Sequence, residues 1–207
     1  IKAKVKKVIY ISSGGAIYGE AEEYPTTESY NPKPLSVYAI NKKSGEDYLY
    51  FYRHQYGLNY TVLRYANVYG PRQIALGEAG VVSLFTEKML KGEIPTIYRY
   101  ENEPDGMIRD YVYVGDVVQA NLLALEQGAG DIFNIGTCRE TTTRELYREI
   151  AKQLGINSEP HFGPARKGDL HRSLLSCNKA KTLLGWKPET ELKDGISQVI
   201  KYFKEQK

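Results

Sequence analysis

The stretch VIYISSGGAIYGE (residues 8–20), followed by SVYAINKKSGEDYLY (residues 36–50), decides how this chain folds. Val8 to Ser13 is a short, β-branched, mostly apolar run that ends in small residues and two glycines. That pattern reads as a buried strand emptying into a loop. Ser36-Val-Tyr38 then opens a helix running toward Tyr56, with Pro32 and Pro34 forbidding an earlier start. A strand end facing a helix across a crevice is where open α/β sheets place their sites.

Outward from this unit, strands and helices alternate. Tyr60 to Arg64 reads as a buried strand, 81–91 as a helix, and Met107 to Val114 as one further strand. Asp116 is placed to cap a helix over Val117 to Glu126. Ile132 to Ile135 reads as a strand, and Thr141 or Thr142 begins a helix reaching Leu154, with Glu145 suiting a capping box. Leu192 to Phe203 forms a terminal helix. No internal repeat or low-complexity linker interrupts the series.

Tyr38 and Lys42 lie four apart on the expected helix and so project from one face. A fixed positive charge beside a phenol favours its ionised form, which turns a weak acid into a usable base. Two such residues at this spacing arise easily by chance in a chain with 18 tyrosines, so the pair draws its weight from the strand end before it. A net charge of +3, spread along 207 residues, lacks the basic stripe of nucleic-acid readers. Cys138 and Cys177, with His54, His161 and His171, fall in no metal-ligand spacing, which argues against a metal site or disulfide framework. No apolar run approaches the ~18 residues of a membrane helix, and no signal-peptide pattern opens the chain, so a cytoplasmic location is expected.

Seven blocks in order carry a resemblance. They are VIYISSGGAIYGE (8–20), PLSVYAINKKSGEDYL (34–49), LNYTVLRYANVYGPRQ (58–73), GEAGVVSLFTEKMLKGE (77–93), MIRDYVYVGDVVQANLLAL (107–125), FNIGT (133–137) and GWKPETELKDGI (185–196). Together they resemble the extended short-chain dehydrogenase/reductases and, within these, the UDP-glucose (UDP-galactose) 4-epimerase branch. The resemblance implies an α/β fold: an incomplete Rossmann-like, doubly wound parallel sheet with a smaller α/β substrate domain. Residues 1–71 and about 111–139 would belong to the NAD-binding part, and 72–110 with 140–207 to an interleaved nucleotide-sugar domain. The family's Gly-x-x-Gly-x-x-Gly turn does not occur after Ile1, so roughly a hundred residues with the first strands are expected ahead of it, and the chain reads as a C-terminal part.

The resemblance also implies an activity: isomerisation at C4 of a UDP-hexose through a 4-keto intermediate, with NAD as cofactor and Tyr38 as acid and base. Tyr38, Lys42 and Ser13 would be catalytic; Ser12, Tyr38, Lys42 and Tyr65 would face the cofactor. Asn67, Arg109, Arg166, Asp169 and Ser173 would meet the nucleotide sugar, with Ser173 a small gate that leaves room for an N-acetyl group. The family's catalytic Ser or Thr stands four residues before the tyrosine of Val-Tyr-Gly, and that position here is Gly14. Two readings stay open: Ser13 serves in its place, or Tyr38 carries proton transfer without it. Gly14-Gly15-Ala16 also lacks the acid and base of sugar-nucleotide 4,6-dehydratases, which remain, with a decarboxylase or a non-catalytic piece unable to bind NAD, the alternatives.

Each implied contact has a plainer counterpart. Arg109 with Asp110 could be a surface ion pair, Arg166-Lys167 a solvated turn, Asn67 a loop satisfier, and Ser12 or Tyr65 part of the packing. A homodimer is implied through the helices at about 35–56 and 79–91, with Tyr48, Tyr50, Phe51 and Tyr52 as candidate apolar contacts.

Overall fold

A computed structural model describes residues 1–74 and 80–206. The head of the 77–93 block, and with it the start of the helix expected from 79, lies outside the described residues.

The central sheet has three parallel strands, β1 (Val8–Ser13), β2 (Tyr60–Tyr65) and β7 (Asp131–Ile135), in the order β1-β2-β7. Their register runs Ser12↔Arg64↔Asn134 and, one residue on, Ser13↔Tyr65↔Ile135. Neighbouring side chains on β2 point to opposite faces, and the packing shows two covered faces. Val62 joins Leu49 of helix α2 (Val37–Tyr56), whereas Leu63 joins Val117, Ala120 and Ala124 of helix α4 (Val114–Glu126). A parallel sheet with helices on both faces is the doubly wound arrangement expected.

Helix α2 starts where the sequence says it should. The Ser36 hydroxyl accepts from the Ala39 amide at 3.1 Å, capping the first turn. Of its twenty residues only Ala39, Glu46 and Leu49 are buried. It comes very close to β1 at Gly45, where a Cβ would lie 2.1 Å from the Tyr10 hydroxyl. Short α1 (Gly14–Ile17) follows β1 directly, so the loop expected there is one helical turn.

A second cluster lies beyond the sheet. Helices α3 (Val81–Leu90), α5 (Thr143–Leu154) and α7 (Leu192–Glu205) bury Phe85, Tyr147, Ile150, Ile196 and Val199 together with Tyr69 and Tyr111. The capping box is present: Thr142 accepts from the Glu145 amide, and the Glu145 carboxylate accepts from the Thr142 amide. Two parallel ribbons flank this layer: β3 (Asn67–Tyr69) with β6 (Tyr111–Tyr113), and β4 (Thr96–Arg99) with β9 (His161–Pro164). Residues 175–186, including helix α6 (Asn178–Leu183), return to the first cluster, so Leu175, Ala180, Leu184 and Trp186 pack with Leu63 and Phe133.

Two expectations are corrected. The 107–114 segment is two strands, not one. β5 (Ile108–Arg109) pairs antiparallel with β8 (Thr141–Thr142), while β6 pairs parallel with β3. Asp110 separates them because its fully buried carboxylate gathers the Thr137 amide and hydroxyl and the amides of Cys138 and Leu175. Asp116 is no cap. The helix begins at Val114, and the Asp116 carboxylate instead accepts from the Thr190 amide and hydroxyl.

A polar row crosses the sheet beneath its end. Arg64, 3% exposed, forks onto Glu46 with Nε at 3.0 Å from Oε1 and Nη2 at 2.6 Å from Oε2. Ser12 donates to Glu46 Oε1 at 2.6 Å, Arg64 Nη1 donates to the Tyr18 hydroxyl at 2.8 Å, and Tyr18 donates to Asn134 Oδ1 at 2.8 Å. Burial, the largest influence, works against the Arg64 charge, yet the Glu46 hydrogen bonds and the Tyr18 contact hold its pKa above the ordinary value. Burial pushes the Tyr18 phenol up to about 12 against the pull of Arg64, and burial likewise pushes Tyr111 up to about 12.

Two outcomes follow for stability. Alanine at a helix interior normally gains about 1 kcal/mol over glycine, but Gly45→Ala should lose about 1–3 kcal/mol from overpacking against Tyr10. Urea unfolding checks this, and a neutral or stabilising result would contradict the close approach. The two raised phenols favour the protonated native state, so their contribution is intact below pH 10.0, the ordinary phenol value, and fades as pH rises through about 12. Tyr18→Phe should flatten that alkaline slope in pH-dependent urea titrations.

Candidate functional site

At the carboxyl end of β1 a cleft of about 370 Å³ is lined by Ser13, Gly15, Tyr38, Asn67, Arg109 and Tyr111, among others. Ser13 comes from the strand end, Tyr38 from the first turn of α2, Asn67 from β3 and Arg109 from β5. These four were each expected from sequence to be site residues. Residues distant in the chain therefore converge on one concavity.

Tyr38 stands 51% exposed at the mouth of this cleft. The Lys42 ammonium lies 5.7 Å from the Tyr38 ring centroid and donates to the Ile11 carbonyl at 2.8 Å. It is thereby fixed between the helix and the strand. An ammonium carries three donors, which leaves two beyond the Ile11 bond for a ligand.

Gly14, the position counted from the Val-Tyr-Gly signature, does not face the cleft. A Cβ there would meet Leu175 Cδ1 at 2.5 Å, inside the core. Ser13 and Gly15 line the cleft on either side of it. Alternation along the strand end thus gives Ser13 the position open to a ligand.

Arg109 makes no ion pair with Asp110, which is turned inward to its four donors. Its guanidinium instead donates to the carbonyls of Ile108 at 2.8 Å and Leu170 at 2.7 Å, which fix it at the cleft wall. Asn67 is half-buried, and its Oδ1 would lie 3.2 Å from a Cβ at Gly15. Ser173, 6% exposed, sits behind Gly15, with its hydroxyl 3.8 Å from where a Gly15 Cβ would lie.

The other expected site residues are engaged elsewhere. Ser12 is buried with its hydroxyl on Glu46 and does not line the cleft. Tyr65 packs on the first cluster and accepts from Asn121 at 2.6 Å. Arg166 and Asp169 form one exposed turn, in which the Asp169 carboxylate accepts the Arg166 amide at 3.0 Å. The Arg166 guanidinium lies 4.4 Å from the Tyr98 ring centroid, and neither residue lines the cleft.

Sequence reasoning passed over Glu46 and Arg64. The signals were present: Glu46 is one further helical turn beyond Lys42, and Arg64 is a charge inside an apolar strand run. It also passed over Leu170, whose carbonyl holds Arg109.

Known proteins share this fold. A UDP-glucose 4-epimerase from Thermotoga maritima, solved with UDP-glucose, superposes with a TM-score of 0.95 at 50% identity, covering 99% of this chain and 65% of that one. The Thermus thermophilus UDP-glucose 4-epimerase in complex with NAD gives 0.91 at 43% identity, over 98% and 65%. By sequence the chain is 44% identical over 203 residues to a putative UDP-glucose 4-epimerase of Methanocaldococcus jannaschii, covering 98% of this chain and 65% of that protein. It is 45% identical over 203 residues to the UDP-glucose 4-epimerase of Mycolicibacterium smegmatis, covering 98% and 64%. The chain therefore spans under two thirds of the length of the curated relatives it matches. Residues 1–136, which carry the strand end, the Tyr38 helix and the Arg109 wall, match the model of the NAD dependent epimerase/dehydratase family, and the chain belongs to that family.

Proposed function

We propose that this chain carries the catalytic face of an NAD-dependent UDP-hexose 4-epimerase. The carrying observation is the convergence of Ser13, Tyr38, Asn67 and Arg109 on one cleft, with Lys42 fixed beside Tyr38. The residues at that cleft fit NAD: the Lys42 donors not used by Ile11 suit a ribose diol, and Tyr38 is open beside them. The Ser12 hydroxyl is committed to Glu46, whereas the Tyr65 phenol accepts from Asn121 and keeps its own proton to donate. When bound, NAD supplies hydride acceptance from C4 of the hexose and hydride return to the opposite face.

Tyr38 takes the proton of the 4-hydroxyl as the sugar is oxidised and returns it as the sugar is reduced. Lys42 places a positive charge beside the ring that exchanges this proton. Ser13 offers a hydroxyl to orient the reacting oxygen. Arg109 and Asn67 line the same cleft, and a guanidinium is suited to phosphate oxygens, which supports their reading as diphosphate contacts. With Gly14-Gly15-Ala16 at the strand end there is no acid for water loss, which favours epimerisation over 4,6-dehydration.

The exposed apolar face of α2, with Ile40, Tyr48, Phe51, Tyr52 and Tyr56, suits a second copy of the protein. Native mass spectrometry of the polypeptide as encoded should then read two chains carrying NAD, and the material should interconvert UDP-glucose and UDP-galactose. Tyr38→Phe should lower kcat by about 10²–10⁴-fold. A variant with kcat within threefold of the parent's would remove Tyr38 from the mechanism.

Ser173 bears on substrate size. A tyrosine there has to displace Gly15 or enter the cleft, so Ser173→Tyr should cut kcat/KM for UDP-GlcNAc relative to UDP-glucose by roughly tenfold or more. An unchanged ratio in the folded variant rules out the gate.

A further inference from the structure

We propose that Glu46 and Arg64 are positioning residues: their buried fork sets the register of α2 on the sheet and so brings Tyr38 and Lys42 to the Ser13 end of β1. The catalytic consequence rests on the function proposed above.

Helix α2 is weakly keyed by apolar packing. Of its three buried side chains one is Ala39, one is Leu49 and the third is Glu46. Hydrophobic contacts are non-directional, so two of them alone would not fix a long helix, and the Gly45–Tyr10 approach and the Lys42–Ile11 bond hold it to β1 alone. A two-bond guanidinium–carboxylate fork restricts both sliding and rolling because it has one planar geometry. Glu46 follows Lys42 by four residues and Tyr38 by eight, so all three share a face, and the fork sits roughly 12 Å along the axis from Tyr38.

The same carboxylate reaches the strand. Ser12, the residue before Ser13, donates to the oxygen that also accepts from Arg64 Nε. Arg64 in turn grips Tyr18 at the end of α1, and Tyr18 is tied through Asn134 to the Thr26 carbonyl at 3.0 Å. One network therefore fixes two adjoining sides of the cleft: α2 with Tyr38, and the strand end with Ser13, Gly15 and Ala16. It lies across adjacent strands in one register row, Ser12↔Arg64↔Asn134, directly beneath the row that contains Ser13.

Stability alone does not account for such a row. Replacing a buried ion pair by apolar residues of similar volume is often neutral or stabilising, whereas displacement of reacting groups by about 1 Å can cost ~10²-fold in rate. The test separates these effects in the polypeptide as encoded. The paired variant Glu46→Leu with Arg64→Met should keep its melting temperature within about 5 °C and its KM for UDP-glucose within about threefold, while kcat falls ~10²-fold. Ser12→Ala, which leaves the fork intact, should lower kcat by a smaller factor of about three to ten at unchanged melting temperature.

A folded paired variant with kcat within threefold of the parent's overturns the proposal, as does a kcat loss that cooling restores in step with the folded fraction. Should the paired variant not fold, unchanged kcat in Ser12→Ala overturns it. Should the parent itself not turn over UDP-hexoses, the function above falls and the positioning is read separately. The ring resonance of Tyr38 in ¹³C-tyrosine-labelled protein, assigned with Tyr38→Phe, should then shift in Ser12→Ala and in the paired variant, and an unshifted resonance overturns the proposal.

Discussion

A guanidinium carried into the middle of a parallel sheet has to be satisfied where it lies. Arg64 is a central-strand residue with almost no contact to water, and a lone buried charge costs several kcal/mol. Its demands are met from three directions: a carboxylate from α2, a phenol from the end of α1, and, through that phenol, an amide on β7. Each partner belongs to a different element, so satisfying one side chain obliges the strand, the turn and the helix to arrive together. The cleft opens directly above this meeting point.

The same economy of placement governs the other wall. Asp110 is as deeply buried as Arg64 but is satisfied by hydroxyl and amide donors rather than by its neighbour Arg109. That inward turn leaves Arg109 without a carboxylate partner among the described residues and available to the cleft, held by carbonyls that orient the guanidinium without neutralising it. Gly14 contributes by absence. With no side chain to press on Leu175, the strand end can enter α1 at once and present Ser13 and Gly15 to the opening.

Features that depend on near neighbours in the chain were legible in the sequence. The Ser36 cap, the Thr142–Glu145 box and the alternation of strands with helices all rest on spacings of a few residues, and they appear as read. Features that depend on which distant group answers a polar side chain were not legible. Asp116 has the right position to cap a helix but finds Thr190 instead. Asp110 splits what reads as one strand, because donors near 137 and 175 come to meet it. Ser12 and Tyr65 stand at the sheet end yet are claimed by Glu46 and Asn121. The Arg166–Asp169 turn closes on itself before it reaches the cleft.

The interleaving of the chain has an optical consequence. The one tryptophan of these 207 residues, Trp186, comes from near the end of the sequence but lies in the first cluster, 2% exposed, with its indole N–H on the Asp116 carbonyl at 2.8 Å. Tryptophan emission is quenched or red-shifted when water reaches the ring, so the fluorescence of Trp186 reports one event: the docking of the returning tail beneath α4. Excitation absorbed by the chain's 18 tyrosines can drain by resonance transfer into that one emitter. The colour of the light therefore says whether front and back of the chain have joined.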